Sequence, residues 1–359
     1  MIIFFIILFF SATLYGATGQ NDFPFLNISL DPRSSAMAQA TTSLANGPSA
    51  IFINPSLLAI EEGSSLLIFH RHTPAEIYTD SLSFAFPLFN GTMALGLLYH
   101  YSEDITIIRN GTLTDDILLF RNISASISYA RHVFKWFYSG TTFRYVTATF
   151  PDSKPQAFLL DLGTTFLYNI DKYLHDFDDI KIAISFQNIL PGFNYPSKTK
   201  YVDFVFRTGI SSGYKKRFIV SFDFSTSKDE KNRFSLGTEL LVWRFFTIRA
   251  GYIFGKALEG LTAGAGINGI IEKGKLTFDF SYAPATSSYM NITVGINWTF
   301  SKESKDLPLK KSFEKKEETV KEKNKKEPLE PTYTGPPSEG DEPEPENKTT
   351  PEEKKGTEE

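Results

Sequence analysis

The chain contains no cysteine, which excludes disulfides, thiolate metal sites, a thiol nucleophile and a lipid-anchored cysteine behind a leader. Beyond residue 20 it has no apolar run approaching the ~20 residues that a spanning helix needs, so any membrane span there has to be built from strands. Excess positive charge is also missing. The formal net charge is -4, and all of it lies in residues 301–359, where 13 lysines meet 17 acidic residues. The rest of the chain is balanced, which argues against the basic stripe of a nucleic-acid surface. No nucleophile, base and orienting group stand together, so no enzyme and no cofactor are expected.

What is present is aromatic and strand-forming. Apolar residues make up 42% of the chain and aromatics 15%, with 34 Phe against 4 Met and 24 Gly. This composition points to one large β architecture. Residues 1–19 open Met1-Ile2-Ile3-Phe4-Phe5 and turn to small residues at Ala17-Thr18-Gly19, the pattern of a secretory signal peptide without its basic start. Residues 20–63 are rich in Ser, Ala, Asn and Pro, and residues 64–300 are strand-like. Residues 301–359 are a Lys/Glu/Pro tail, with a short helix expected near 312–326. The tail has too little apolar surface to offset the entropy of ordering and is expected to be a disordered tether.

Residues 64–300 read as about 14 strands, from 64–72 to 289–300, most near the ~9–11 residues that cross a bilayer at a tilt. The last is the clearest. Met290, Ile292, Val294, Ile296, Trp298 and Phe300 share one face, while Asn291, Thr293, Gly295, Asn297 and Thr299 share the other. Side chains alternate across a strand, so this is one face for lipid and one for a polar interior, ending in aromatics at a headgroup girdle. On the polar phases of other strands lie Arg144, Asp161, Arg207, Asp223, Glu239, Arg249 and Asp279. Charges are costly against lipid, so these seven are expected to point into the lumen. With the N-terminus periplasmic, the two longest connections, near 104–120 and 190–202, fall on the outer side. Most of the opposite turns are tight.

Three strings imitate catalytic or metal motifs. Gly264-Ala265-Gly266-Ile267-Asn268-Gly269 matches a dinucleotide fingerprint, and Gly209-Ile210-Ser211-Ser212-Gly213 matches a nucleophile elbow. Both motifs work only at a strand-to-helix turn, and here strands follow. The glycines at 264, 266 and 269 read instead as room inside a barrel wall. His70 and His72 share a strand face, but no paired helical spacing occurs among the five histidines, and no metal site is expected.

Residues 31–60 contain Arg33, a small-residue run through Ala36, Met37 and Ala40, then Ala45, Ala50, Asn54-Pro55 and Leu57. Thr293, Gly295, Trp298 and Phe300 match the closing-strand signal of bacterial outer-membrane barrels. In this order, over roughly 25–300, the chain resembles the FadL-like outer-membrane superfamily, in particular its PorV/PorQ-like branch. The usual glycines around Gln39 and Leu57 are absent, and the closing strand is not at the C-terminus. The resemblance implies an all-β transmembrane antiparallel barrel of about 14 strands with an N-terminal hatch carrying Arg33, Ala36, Met37, Ala40, Asn54 and Pro55. It also implies the outer membrane of a diderm bacterium, both chain ends periplasmic, assembly by the barrel-assembly machinery, and passage of hydrophobic solutes such as long-chain fatty acids. The alternative it allows is a secretion-accessory or structural barrel docking an envelope or secreted protein.

Overall fold

A computed structural model describes residues 20–300, except 22, 28–30, 62, 75, 104, 110–111, 150–153, 171–173, 191–199, 228–231, 244, 256–259, 272–273 and 285–289. The leader expected at 1–19 and the tail at 301–359, with the helix expected near 312–326, lie outside the described residues. No helix among the described residues is long and apolar enough to cross a membrane, which says nothing of strands.

Fourteen strands form one closed antiparallel barrel. They are β1 Ser64–Thr73, β2 Ile77–Leu88, β3 Gly91–Ser102, β4 Arg121–Phe134, β5 Phe137–Thr149, β6 Gln156–Tyr168 and β7 Ile180–Gln187. There follow β8 Val205–Tyr214, β9 Phe218–Ser227, β10 Arg233–Trp243, β11 Phe246–Phe254, β12 Gly260–Ile271, β13 Gly274–Pro284 and β14 Met290–Phe300. Each strand pairs with the next, and β14 closes on β1 from Ile292↔His72 to Phe300↔Ser64. Closure leaves no unpaired edge, so every stave has a ladder partner on both sides. The period-two pattern appears directly in exposure: Ile292, Val294 and Ile296 are exposed, while Asn291 and Thr293 are buried.

Two turns show how the sequence sets the hairpins. Phe89-Asn90 and Lys215-Lys216 each place both residues at positive φ, the two-residue geometry whose twist matches that of the flanking strands. The long connection expected near 104–120 contains a backbone-paired hairpin, Ile105–Arg109 with Thr112–Leu118, interrupted by a register shift. Its two arms are short and irregularly paired, so alternation did not mark them. All three tryptophans lie towards one end: Trp136 in the β4–β5 turn, Trp243 ending β10, and Trp298 near the end of β14. Tyr78, Tyr99 and Tyr101 stack near the opposite end of β2 and β3.

Residues 31–60 run through the interior. Helix α1, Pro32–Ala36, is capped by Asp31, whose carboxylate accepts from the Ser34 N–H at 3.0 Å. A 3-10 turn over Gly47–Phe52 follows. A second, Pro55–Ala59, is started by Asn54, whose side-chain oxygen accepts from the Ser56 N–H. A proline near the start of each turn costs no hydrogen bond, because those N–H groups have no partner within the turn. The segment contacts strands on both sides of the β14–β1 seam, from β1 through β9 and β10 to β14, which places it inside the barrel.

Candidate functional site

Glycines in the wall make room for this inner segment. A Cβ on Gly163 would lie 2.0 Å from the Asn54 side-chain oxygen, one on Gly251 would lie 2.6 Å from the Met37 carbonyl carbon, and one on Gly295 would lie 2.8 Å from Pro32 Cγ. Gly295, matched above to the closing signal, therefore has a packing reason to lack a side chain. Of the glycines 264, 266 and 269, Gly264 meets Ala36 Cβ at 2.4 Å, whereas Gly266 meets the Asp279 and Arg249 side chains. Gly269 pairs with Leu276, on the outward phase of the wall, so it leaves no room inside; the loose glycine spacing crosses from one phase to the other. Met37 and Ala40 pack at Gly237, and Ala38 and Gln39 adopt positive φ, a conformation rare for residues bearing a Cβ.

The interior holds an apolar cluster and a charged one. Along β1–β6, amid inward polar residues such as Arg71, Ser83, Arg144 and Asp161, Phe23, Phe25, Ile51, Phe52, Leu57 and Leu58 pack with Leu67, Phe69, Leu98, Val146 and Leu159 in one buried cluster. The Phe25 ring stacks on His100 at 5.6 Å.

Along β10–β14 the interior is charged. Arg33 donates to both carboxylate oxygens of Glu239, at 2.9 and 3.1 Å, and also to the Leu44 carbonyl at 2.8 Å and the Asn46 side-chain oxygen at 2.9 Å. Arg249 donates to Glu239 and to Asp279, each at 2.6 Å. The result is an alternating chain Arg33–Glu239–Arg249–Asp279 tying the inner segment to β10, β11 and β13. Bidentate arginine–carboxylate bonds are strong and directional. Burial, the largest single influence, pulls the Arg33 guanidinium down, but the carboxylates of Glu239, Asp31 and Asp279 together outweigh it and leave Arg33 above its usual value. Burial pushes the Asp31 carboxyl up, with Ser34 and Arg33 opposing.

The other expected inward charges are placed as follows. Arg144 donates to Asp161 at 2.6 Å, both fully shielded, and Asp161 also accepts from the Asn188 N–H at 2.8 Å. Arg207 donates to Gln187 at 2.9 Å, and Gln187 donates to the Phe52 carbonyl. Asp223 accepts from the Thr42 N–H at 2.7 Å. Asn54 donates to the Thr42 carbonyl and to Thr165. The sequence contains each of these residues but gives no sign of the pairings, which join positions up to 206 residues apart. Thr165, Gln187 and Thr262, whose hydroxyl donates to the Ala36 carbonyl at 2.7 Å, also hold the inner segment. Their only sequence signal is the inward phase of their strands.

Between the inner segment and the turn end of β8–β14 lies a polar cavity of about 250 Å³, lined by Arg33, Lys216, Arg217, Glu239, Lys275 and Asp279 among others. At the same end, Thr299 donates to Glu61 at 2.9 Å, and burial pushes the Glu61 carboxyl above its ordinary value. No cluster able to hold a metal ion occurs among the described residues. His70 and His72 lie on the outward phase, beside Tyr78.

No family model and no curated protein matches the chain. Solved structures do. The toluene transporter TbuX of Ralstonia pickettii aligns over 76% of this chain and 99% of its own, with a TM-score of 0.52 and 15% identity. The toluene transporter TodX of Pseudomonas putida aligns over 75% and 96%, with 0.53 and 12%. A FadL homologue of Pseudomonas aeruginosa aligns over 76% and 99%, with 0.50 and 9%. At such identities the likeness is one of architecture, and this chain shares the barrel fold of these three structures.

Proposed function

We propose that the chain is a bacterial outer-membrane channel of FadL-like kind that passes or holds hydrophobic solutes, long-chain fatty acids among them, with residues 20–63 as its hatch and both chain ends periplasmic. The observation that carries this reading is an apolar outer wall closed around an inner segment held by hydrogen bonds and ion pairs. These bonds, and the apolar contacts of Ile51, Phe52, Leu57 and Leu58 beside them, are non-covalent and can open and re-form as solute passes. The aromatic residues near both strand ends fit interfacial girdles. The likeness to two toluene transporters supports a hydrophobic solute class. Assembly would use the barrel-assembly machinery, which reads Thr293, Gly295, Trp298 and Phe300. The test is heat-shifted migration and circular dichroism of the outer-membrane fraction, followed by mass spectrometry of ligands on the purified folded protein. A heat-shifting, β-rich barrel carrying acyl or aromatic hydrocarbons supports the channel, and a soluble protein refutes it.

One observation favours a second reading. The apolar part of the interior is occupied by the chain's own Phe23, Phe25, Ile51 and Phe52, which a solute would have to displace. A PorV/PorQ-like accessory barrel, docking an envelope or secreted protein, needs no such space. Folded protein without ligand that captures an envelope partner would favour this role.

A further inference from the structure

The polar cavity between the inner segment and the turn end of β8–β14 is a poor fit for a hydrophobic solute. At about 250 Å³, lined largely by charged and amide side chains, it falls below the ~300–1,000 Å³ of the mostly apolar pockets that take drug-sized ligands. Its chemistry points to a small polar occupant.

Five cations line it, Arg33, Lys216, Arg217, Arg249 and Lys275, against the three carboxylates Asp31, Glu239 and Asp279. All three carboxylates are engaged: Glu239 holds Arg33 and Arg249, Asp279 holds Arg249, and Asp31 caps α1. Among the described residues, Lys216, Arg217 and Lys275 enter no ion pair. Glu61 lies outside the lining, bonded to Thr299.

Open donors accompany the excess of positive charge. A guanidinium carries five N–H groups, and Arg249 directs its Nε to Glu239 and one terminal nitrogen to Asp279. Asn46 accepts from Arg33 through its side-chain oxygen at 2.9 Å, so its amide N–H groups remain to donate. Lys275 shares the inward phase of β13 with Thr277 and Asp279. An anion among these groups relieves their mutual repulsion and accepts charge-assisted hydrogen bonds.

We propose that this cavity is a site for a small oxyanion, of which inorganic phosphate is the type, bridging Arg33 and Asn46 of the inner segment to Arg249 and Lys275 of the wall. The anion is one free in solution rather than a lipid headgroup, because these groups face the lumen. Bound there, it holds the inner segment against the wall. The site needs the barrel and its inner segment, but neither solute passage nor a particular solute.

The test is amide hydrogen exchange of the full-length protein in detergent, at one pH and one ionic strength. The additions compared are sodium phosphate, sodium chloride, and dioctanoyl phosphatidic acid in chloride. Wild type, Lys275→Gln and Lys216→Gln are measured beside Lys135→Gln, a control in the β4–β5 turn outside the cavity, each first shown to give the heat-shifted folded band. At phosphate about ten times its dissociation constant, linkage makes opening of the segment about tenfold rarer. The expected result is that amides of residues 31–46 exchange about tenfold more slowly in phosphate than in chloride in wild type and Lys135→Gln, with most of that protection lost in the other two variants. Should Lys275→Gln fail to fold, Lys216→Gln decides. No protection by phosphate, equal protection in all the proteins, or protection by phosphatidic acid alone would each overturn the site. Loss of the heat shift in wild type would instead strike the barrel reading itself.

Discussion

Arg33→Ala tests how the inner segment is held. The substitution deletes two bonds to Glu239 and those to the Leu44 carbonyl and Asn46. Breaking a buried ion pair by removing one partner costs about 3–5 kcal/mol. Glu239 keeps Arg249 at 2.6 Å, so the lower end, about 3 kcal/mol, applies. At 1.4 kcal/mol per tenfold, opening of the segment should rise about 100-fold. Most of the barrel ladder is untouched, because Arg33 belongs to no strand. Amide hydrogen exchange across residues 31–60 should therefore accelerate by that factor in α1 and the Leu44–Asn46 stretch, while the central amides of β4 and β5 exchange as in wild type. Unchanged exchange in 31–46 would refute the latch, and equal acceleration everywhere would show that Arg33 supports the barrel rather than the segment.

Gly163→Ala drives a Cβ into Asn54 and Pro55. It should cost about 1–3 kcal/mol by overpacking, read as a lower urea midpoint and earlier proteolysis near residue 54. Asp161→Asn leaves Arg144 buried without its carboxylate and should lower unfolding stability by about 3–5 kcal/mol. Val294→Arg, mid-strand on the outward phase, should cost about 2–4 kcal/mol in bilayers; no penalty there would contradict a lipid-facing wall. Glu61 has a raised folded value, so its contribution is favourable below the unfolded carboxylate pKa and is lost as pH rises through the folded one. Glu61→Gln should therefore raise thermal stability at neutral pH relative to wild type, with the gain vanishing in acid.

Much of the wall was legible because its physics is local. A strand between lipid and a polar interior must alternate, so Ile292, Val294 and Ile296 could be assigned a face from their spacing alone. The same rule gave a phase to Glu239 and Arg249. It could not give their partners, since Arg33 reaches Glu239 only through a tertiary path that sequence spacing does not encode. The glycines divide in the same way. Gly264 and Gly295 face Ala36 and Pro32, but this follows only once the course of the inner segment is known, and Gly269 on the opposite phase shows how a motif spacing misleads. The hairpin over Ile105–Leu118 is not legible in sequence, because its paired runs are too short to establish a period.

The central claim is tested most directly by reconstituting the purified protein in lipid vesicles and measuring entry of a trapped-probe-reported fatty acid or toluene, wild type beside Arg33→Ala. The account predicts entry above protein-free vesicles, faster in the variant whose inner segment opens more often. Folded barrels that neither bind nor pass either solute, with or without Arg33, would contradict it.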